Sequence, residues 1–378
     1  MNEDLFGLDN LPVASVAAAD GRRFAATRLG NRVLDLSTLD DRLFAGGTLD
    51  AFLAAGRATW RQVRATVVDV LSSDMYPLIE LADLRPVLGF TVADYVDFYA
   101  SEHHATNAGR IFRPDGEALT PNWKSMPVGY HGRAGTIVVS GTRIRRPRGQ
   151  FRTESGVEFG PSRRLDFEAE VGFVVGAGSP AGAGVAVGDF AEHVFGVCLL
   201  NDWSARDIQG WESQPLGPHL GKSFATSLGA WITPLDALAQ AWVAAPPRDP
   251  PVLPYLDDSG SPSGLDLALT VSINDTIVSR SSFASMYWTP AQLLAHLTSN
   301  GAHLRPGDVF GSGTVSGPER GNRGCLLELT WNGTEPLALS DGTTRNYLED
   351  GDEVSISATA PGAGGRIGLA EVTGRIEL

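Results

Sequence analysis

The chain has 378 residues, 43% of them hydrophobic and 20% charged, which places it among globular proteins and makes it long enough for one large and one smaller domain. Its formal net charge of −14 speaks against a nucleic-acid partner and against a negatively charged membrane surface. The two cysteines, Cys198 and Cys325, each stand among apolar residues without zinc spacing, so buried thiols rather than a disulfide are expected.

The first residues carry Glu3 and Asp4 where a secretory leader would be basic and then apolar, and no apolar run approaches a membrane span. A soluble, cytoplasmic protein is the expectation. With 44 glycines and 23 prolines, a β-rich and loop-rich architecture is expected. Residues 24–29 and 32–36 look like strands, and Trp60, Val63, Val67, Val68 and Leu71 recur at helical spacing. Pro86 and Gly89 then punctuate the chain, giving expected domains of 1–89 and 90–378. The basic run Arg143, Arg145, Arg146 and Arg148 is broken by Pro147 and lacks aromatic residues for base stacking, so it reads as a solvated edge. Residues 176–187 and 244–254 are Gly-rich and Pro-rich connections.

Further on, Leu265, Leu267, Leu269, Val271 and Ile273 alternate with polar or small residues, predicting a half-buried strand that turns at Asn274-Asp275. Thr289-Pro290-Ala291-Gln292 predicts a helix start with a capping box, and the helix should stop near Asn300-Gly301.

Three segments carry acids that suit chemistry. In 165–175, Glu168 and Glu170 are two apart, so on a strand they share a face with Asp166 and Gly172. On that segment alone a wet acidic face is the favoured reading. Asp202 ends an apolar run, 194–200, where a functional acid is at home; it also suits a helix cap paired with Arg206 one turn on. Local sequence does not separate the two readings. In 94–104, Asp97 and His104 are seven apart, about two turns if helical, and both would then face one cleft. Without further His or Cys at ligand spacing, an all-oxygen site for a hard cation fits better than zinc.

Taken together these blocks resemble the fumarylacetoacetate hydrolase family over nearly the whole chain. The resemblance is carried by FGLDNLP (6–12), DYVDFYASEHHATNAGRIFR (94–113), NWKSMPVGYHGRAGTIVVSGTRIRRPRGQ (122–150), LDFEAE (165–170), NDWSARDIQGWE (201–212), PLGPHLGKSFAT (215–226), GSGTVSGPE (311–319) and LLELTW (326–331). It implies a mostly β, α+β fold: a small N-terminal SH3-like barrel and a mixed β-roll catalytic domain, as a homodimer. It also implies a metal-dependent hydrolase that splits fumarylacetoacetate into fumarate and acetoacetate in tyrosine and phenylalanine degradation.

By this resemblance Asp97, Glu168, Glu170 and Asp202 are cation ligands with Ca²⁺ as the expected occupant. Asp202, Lys222 and Thr226 match positions linked to Mg²⁺, and Mn²⁺ also accepts oxygen ligands. A lysine beside a dication is electrostatically odd, so Lys222 is expected behind the ligands or facing an oxyanion. His104 matches the proton acceptor and Glu328 the acid that orients it. Arg206, Gln209 and Lys222 match the group that meets developing negative charge, and Tyr99, Arg113, Gln209 and Thr314 match substrate positions. Four carboxylates would be neutralised by one dication with Lys222 and Arg206.

One position departs: Ser213 stands in Trp211-Glu212-Ser213 where the family's eukaryotic pattern has tyrosine. That keeps hydrolysis of a different diketo acid or acylpyruvate open, and a catalytically silent metal-binding scaffold is the alternative from another class.

Overall fold

This computed structural model describes residues 3–73, 76–260 and 262–378, which fold into sheets that share their interiors. The N-terminal part supplies five antiparallel strands: β1 (Val13–Ala18), β2 (Arg23–Leu29), β3 (Arg32–Asp35), β4 (Ile79–Glu80) and β5 (Leu84–Val87). They run in the order β4-β3-β2-β1-β5 and curl into a half-barrel. Strands β2 and β3 fall on the stretches that look extended in sequence. β1 does not alternate, because its first four residues are all buried, so no period-two pattern marks it.

Helix α1 (Arg57–Ser73) turns Trp60 and Val67 inward, as the spacing predicts. The Trp60 indole donates to the Phe52 and Leu53 carbonyls at 2.9 and 3.0 Å and meets Phe195 edge-on, centroids 5.4 Å apart. Phe195 belongs to the C-terminal part, so one apolar cluster joins the two.

In chain order the C-terminal part contributes β6 (Tyr95–Phe98), α2 (Glu102–Phe112), β7 (Gly129–His131), β8 (Ile137–Val139), β9 (Ala169–Val175), β10 (Val194–Asp202), α3 (Arg206–Glu212), β11 (Thr226–Leu228), β12 (Val309–Gly311) and α4 (Leu326–Leu329). The sheet order is β7-β6-β12-β9-β10-β11-β8, with Thr233–Pro234 also pairing onto β10. It is mixed: β6/β12 and β8/β11 are parallel and the remaining neighbours antiparallel. Strands β9 and β10 are buried along their whole length. The acidic segment at 165–175 is therefore not a wet face: Asp166, Glu168 and Glu170 are all buried.

One face of this sheet (Val96, Phe98, Val171, Phe173, Leu199) enters the main core, and the other (Tyr95, Cys198, Leu200, Val309) meets the N-terminal cluster. A second sheet backs the main core, in the order Thr276–Ser282, Ala268–Ile273, Glu353–Gly362, Gly365–Glu377, Ile144–Arg145. The alternation at 269–273 is seen as expected, and Asn274 and Asp275 turn with φ of 47° and 63°, the doubly left-handed geometry of a tight hairpin. The helix Pro290–Thr298 carries the Thr289/Gln292 capping box and ends ahead of Gly301. The basic run forms an edge beside the C-terminal strand, with Arg143 paired to Glu377 and Arg146 to Asp350. Among the described residues no helix is long and apolar enough to cross a membrane.

Candidate active site

Strand direction brings the acids together. β6, β10 and β12 all end at one edge of the catalytic sheet, where antiparallel β9 and β11 begin. Asp97 pairs in register with Gly311, Gly172 pairs with Gly311, and Asp202 pairs with Thr226. Residues spread from 97 to 311 thus meet at a single rim. One ligand oxygen each from Asp97, Glu168, Glu170 and Asp202 lies within 4.8 Å of all the others, and all four residues are buried.

Cations already present neutralise only one side of this cluster. Lys222 Nζ donates to Glu168 Oε2 at 2.6 Å and to Asp202 Oδ2 at 2.5 Å, and Arg206 Nη1 sits 2.8 Å from Glu168 Oε1. Burial on its own raises the Glu168 carboxyl, but Lys222 and Arg206 outweigh it and hold the group well below its ordinary range. Burial, then neighbouring carboxylates, pushes Asp97 and Glu170 well up, and Asp202 also ends raised despite Lys222. Asp97 Oδ1 and Glu170 Oε1 have no hydrogen-bond partner. Crowded, buried, orphaned carboxylate oxygens are what a hard divalent cation requires, so the donor set fits one.

Arg206 does not pair with Asp202 as the helix-cap alternative supposed. Its Nε donates to Asp166 Oδ2 at 2.8 Å, and α3 begins after Ala205 without a side-chain cap. Asp166 also accepts the Leu326 and Leu327 amides at 2.7 and 2.9 Å, tying the start of α4 to Arg206. The charge count changes accordingly. Asp166 adds a fifth buried carboxylate beside Arg206 and Lys222, so the balance of four acids against one dication, Lys222 and Arg206 no longer closes at zero.

Asp97 and His104 do not share a helix. Asp97 lies on β6 and His104 opens α2, where the Ser101 hydroxyl caps its amide at 3.2 Å. His103 does not join the cluster. Nδ1 of His104 is 2.6 Å from Glu328 Oε2, and Nε2 is 3.9 Å from Glu168 Oε1. Glu328, itself fully buried, further accepts from Asn107 Nδ2 at 2.8 Å, Ser316 Oγ at 2.7 Å and Cys325 Sγ at 3.2 Å. Burial opposes its ionisation, but the imidazole and these donors prevail and hold it down to about 2. An ionised carboxylate only accepts, so the Nδ1 facing it carries a proton, and Nε2 is the ring atom turned toward the acidic cluster. Both cysteines are buried free thiols, as expected. Cys325 nonetheless touches the dyad, which its apolar neighbours in sequence do not reveal.

The remaining positions vary in how close they come. The Tyr99 ring stands edge-on to His104, centroids 5.2 Å apart. Gln209 Oε1 accepts from Arg206 at 3.1 Å, and Thr226 Oγ1 donates to Asp202 at 3.2 Å. Thr314 is buried with its hydroxyl unpartnered, just after Gly313, whose amide donates to Glu170 at 3.2 Å. Gly313 has a φ of +76° and lies so close to the Phe98 carbonyl that no side chain fits. Arg113 is exposed and donates to the Ala118 carbonyl at 2.7 Å, although its charge is felt at the Tyr99 hydroxyl. Ser213 turns its hydroxyl back onto the Gln209 carbonyl.

Residues that sequence reasoning passed over are Asp166, Asn107, Ser316, Tyr130, Tyr95 and Glu212. Glu212 accepts the amides of His219, Leu220 and Gly221 at 2.7, 3.0 and 2.8 Å, shaping the loop that presents Lys222. Asp166 meets the Leu326 amide, Asn107 meets Glu328 and Tyr130 meets Asp202 across long stretches of chain, so no local pattern announces them.

The fumarylacetoacetate hydrolase C-terminal model matches residues 94–376, and the fumarylacetoacetase N-terminal model matches 9–88. The chain belongs to the fumarylacetoacetate hydrolase family. A fumarylacetoacetase of Arabidopsis thaliana is 45% identical over 383 residues, covering 93% of this chain and 90% of the relative. That of Homo sapiens is 41% identical over 403 residues, covering 98% and 96%. Among solved structures, a fumarylacetoacetate hydrolase from Exiguobacterium antarcticum aligns with a TM-score of 0.59 at 17% identity, covering 97% of this chain and 99% of that one. A maleylpyruvate hydrolase from Sphingobium aligns at 0.56 and 14%, covering 97% and 99%. At those identities the two structures speak to the fold of this hydrolase family member.

Proposed function

We propose that the chain is a cation-dependent fumarylacetoacetase, cleaving 4-fumarylacetoacetate to fumarate and acetoacetate in tyrosine and phenylalanine degradation, as a cytoplasmic homodimer of 1–89 and 90–378 domains. The observation that carries this is the position of His104 Nε2, oriented through Nδ1 by Glu328, beside four buried carboxylates and a cationic wall. Splitting a carbon–carbon bond in a 1,3-diketone needs water activated at one carbonyl and a sink for the departing carbanion.

His104 takes a proton from water while Glu328 steadies the imidazolium. The new C–O bond makes a tetrahedral oxyanion. Arg206 Nη2, buried and without a partner, is free to meet it, together with Gln209 and the remaining N–H of Lys222. The oxyanion collapses, the carbon–carbon bond breaks, and the leaving carbon takes the proton back. Asp97, Glu168, Glu170 and Asp202 would hold Ca²⁺, Mg²⁺ or Mn²⁺, which supplies Lewis acidity for the diketone oxygens. Tyr99, Arg113, Ser213 and Thr314 would line the substrate, with Thr226 behind Asp202.

Product analysis with fumarylacetoacetate, with and without chelator, tests this. Release of fumarate and acetoacetate that the chelator abolishes is expected, and no release would sink it. Ser213 favours a second reading, hydrolysis of another diketo acid or acylpyruvate, which turnover of acylpyruvates alone would establish.

A further inference from the structure

The Tyr95 phenol is almost fully buried, and its hydroxyl has no hydrogen-bond partner. Ring packing alone calls for phenylalanine, since an unpaired buried hydroxyl is a cost. Two glycines make room for this side chain. A Cβ on Gly132 would lie 2.3 Å from the Tyr95 ring, and one on Gly311 would lie 3.3 Å from its hydroxyl.

The Gly311 position also shows which carboxylates lie near the hydroxyl. The same Cβ would meet Glu170 Oε2 at 2.7 Å and Asp97 Oδ1 at 3.5 Å. Three oxygens therefore surround one missing methyl, and one of them, Asp97 Oδ1, is itself unpartnered. A cavity of about 230 Å³ is bordered by Tyr95, Tyr130, Asp202, Lys222 and Thr226. Tyr130 approaches Asp202 Oδ2 at 3.4 Å from the same side.

We propose that Tyr95 is a positioning residue of the cation site, its hydroxyl orienting the Asp97 and Glu170 carboxylates across Gly311 as ligands. This rests on the reading of the acidic cluster as a cation site. Groups that orient ligands in this way typically change metal affinity by roughly 10- to 100-fold when removed.

The test is Mn²⁺ binding to chelator-treated protein, followed by the electron paramagnetic resonance signal of free Mn²⁺. Tyr95→Phe keeps the ring and removes only the hydroxyl, and is expected to bind Mn²⁺ roughly tenfold more weakly or worse. Its thermal midpoint in chelator should stay that of the parent. Gly311→Ala, which pushes on the same oxygens, should also bind more weakly. Parental affinity in Tyr95→Phe overturns the proposal while leaving the cation site intact. If Tyr95→Phe does not fold, parental affinity in Gly311→Ala overturns it instead. A parent protein that binds no Mn²⁺ overturns the cation reading itself.

Discussion

His104 Nδ1 and Glu328 Oε2 lie 2.6 Å apart although 224 residues separate them in the chain. The contact fixes the ring and the tautomer together, so its loss should affect turnover more than binding. Replacing Glu328 by Gln keeps the size and offers an amide whose N–H can face Nδ1, favouring the wrong tautomer. The expected result is a fall in kcat of roughly 10²- to 10⁴-fold with KM little changed. His104→Ala should lose at least as much, while Mn²⁺ affinity stays near the parent's in both. Steady-state kinetics beside Mn²⁺ titration checks this, and a kcat within a few-fold of the parent would remove the dyad from the mechanism.

The same carboxylate carries a stability signature. Glu328 is held at about 2 when folded against an ordinary 4.5. A depressed carboxyl contributes stability above its unfolded value and loses it as pH falls toward the folded one. Glu328 should therefore contribute on the order of 3 kcal/mol above about pH 5, fading toward pH 2. Thermal midpoints of the parent and Glu328→Gln in chelator should converge as pH is lowered through that window. A gap that stays constant with pH would contradict it.

Asp97, Glu170 and Asp202 have the opposite sign, since burial and mutual repulsion raise them. A raised carboxyl resists ionisation, so without a cation each weakens the fold as pH rises past its ordinary value. Binding a cation requires these groups ionised, and so must release protons. Calorimetry in buffers of different ionisation enthalpy should show that release, with affinity falling as pH is lowered from 7.5 to 5.5. Binding that releases no protons would mean that these carboxyls are already ionised in the free protein.

Much of this was open to sequence reasoning, and what was not has a physical cause. The hairpin at Asn274-Asp275 and the capped helix at Thr289 are local patterns, and both appear where expected. The acids at 97, 168, 170 and 202 were individually ambiguous, because only the sheet register brings them to one rim. Block resemblance linked them where periodicity had no means to. Resemblance did not single out Asp166, whose partners are the Leu326 and Leu327 amides and Arg206. It implies Arg113 as a substrate position, and that side chain lies exposed at the end of α2 with its charge felt at the Tyr99 hydroxyl.

Lys222 distinguishes a structural role from a catalytic one. Its ammonium bridges Glu168 and Asp202, and the pair raises its pKa against the effect of burial. Lys222→Met removes the only side-chain ammonium touching both acids, and breaking a buried pair from one side costs about 3–5 kcal/mol. The variant should melt well below the parent in chelator and recover part of the loss when Mn²⁺ is added. Activity should stay low at saturating Mn²⁺, because the oxyanion has lost a donor. Full recovery of activity with Mn²⁺ would leave Lys222 a purely structural counter-charge.

Ser213 bears on which acid is cleaved. It lies at the end of α3 with its hydroxyl turned onto the Gln209 carbonyl, one turn from the Arg206–Gln209 contact. A phenol in its place adds apolar area and a donor beside that contact. Contacts of that size shift selectivity by about 1–3 kcal/mol. Ser213→Tyr should therefore raise kcat/KM for fumarylacetoacetate relative to an acylpyruvate by roughly tenfold or more. Cation affinity should not move, since residue 213 touches none of the four carboxylates. Competition between the two substrates measures the ratio directly. A ratio equal to the parent's would place residue 213 outside the substrate pocket and transfer the choice of acid to Tyr99 and Thr314.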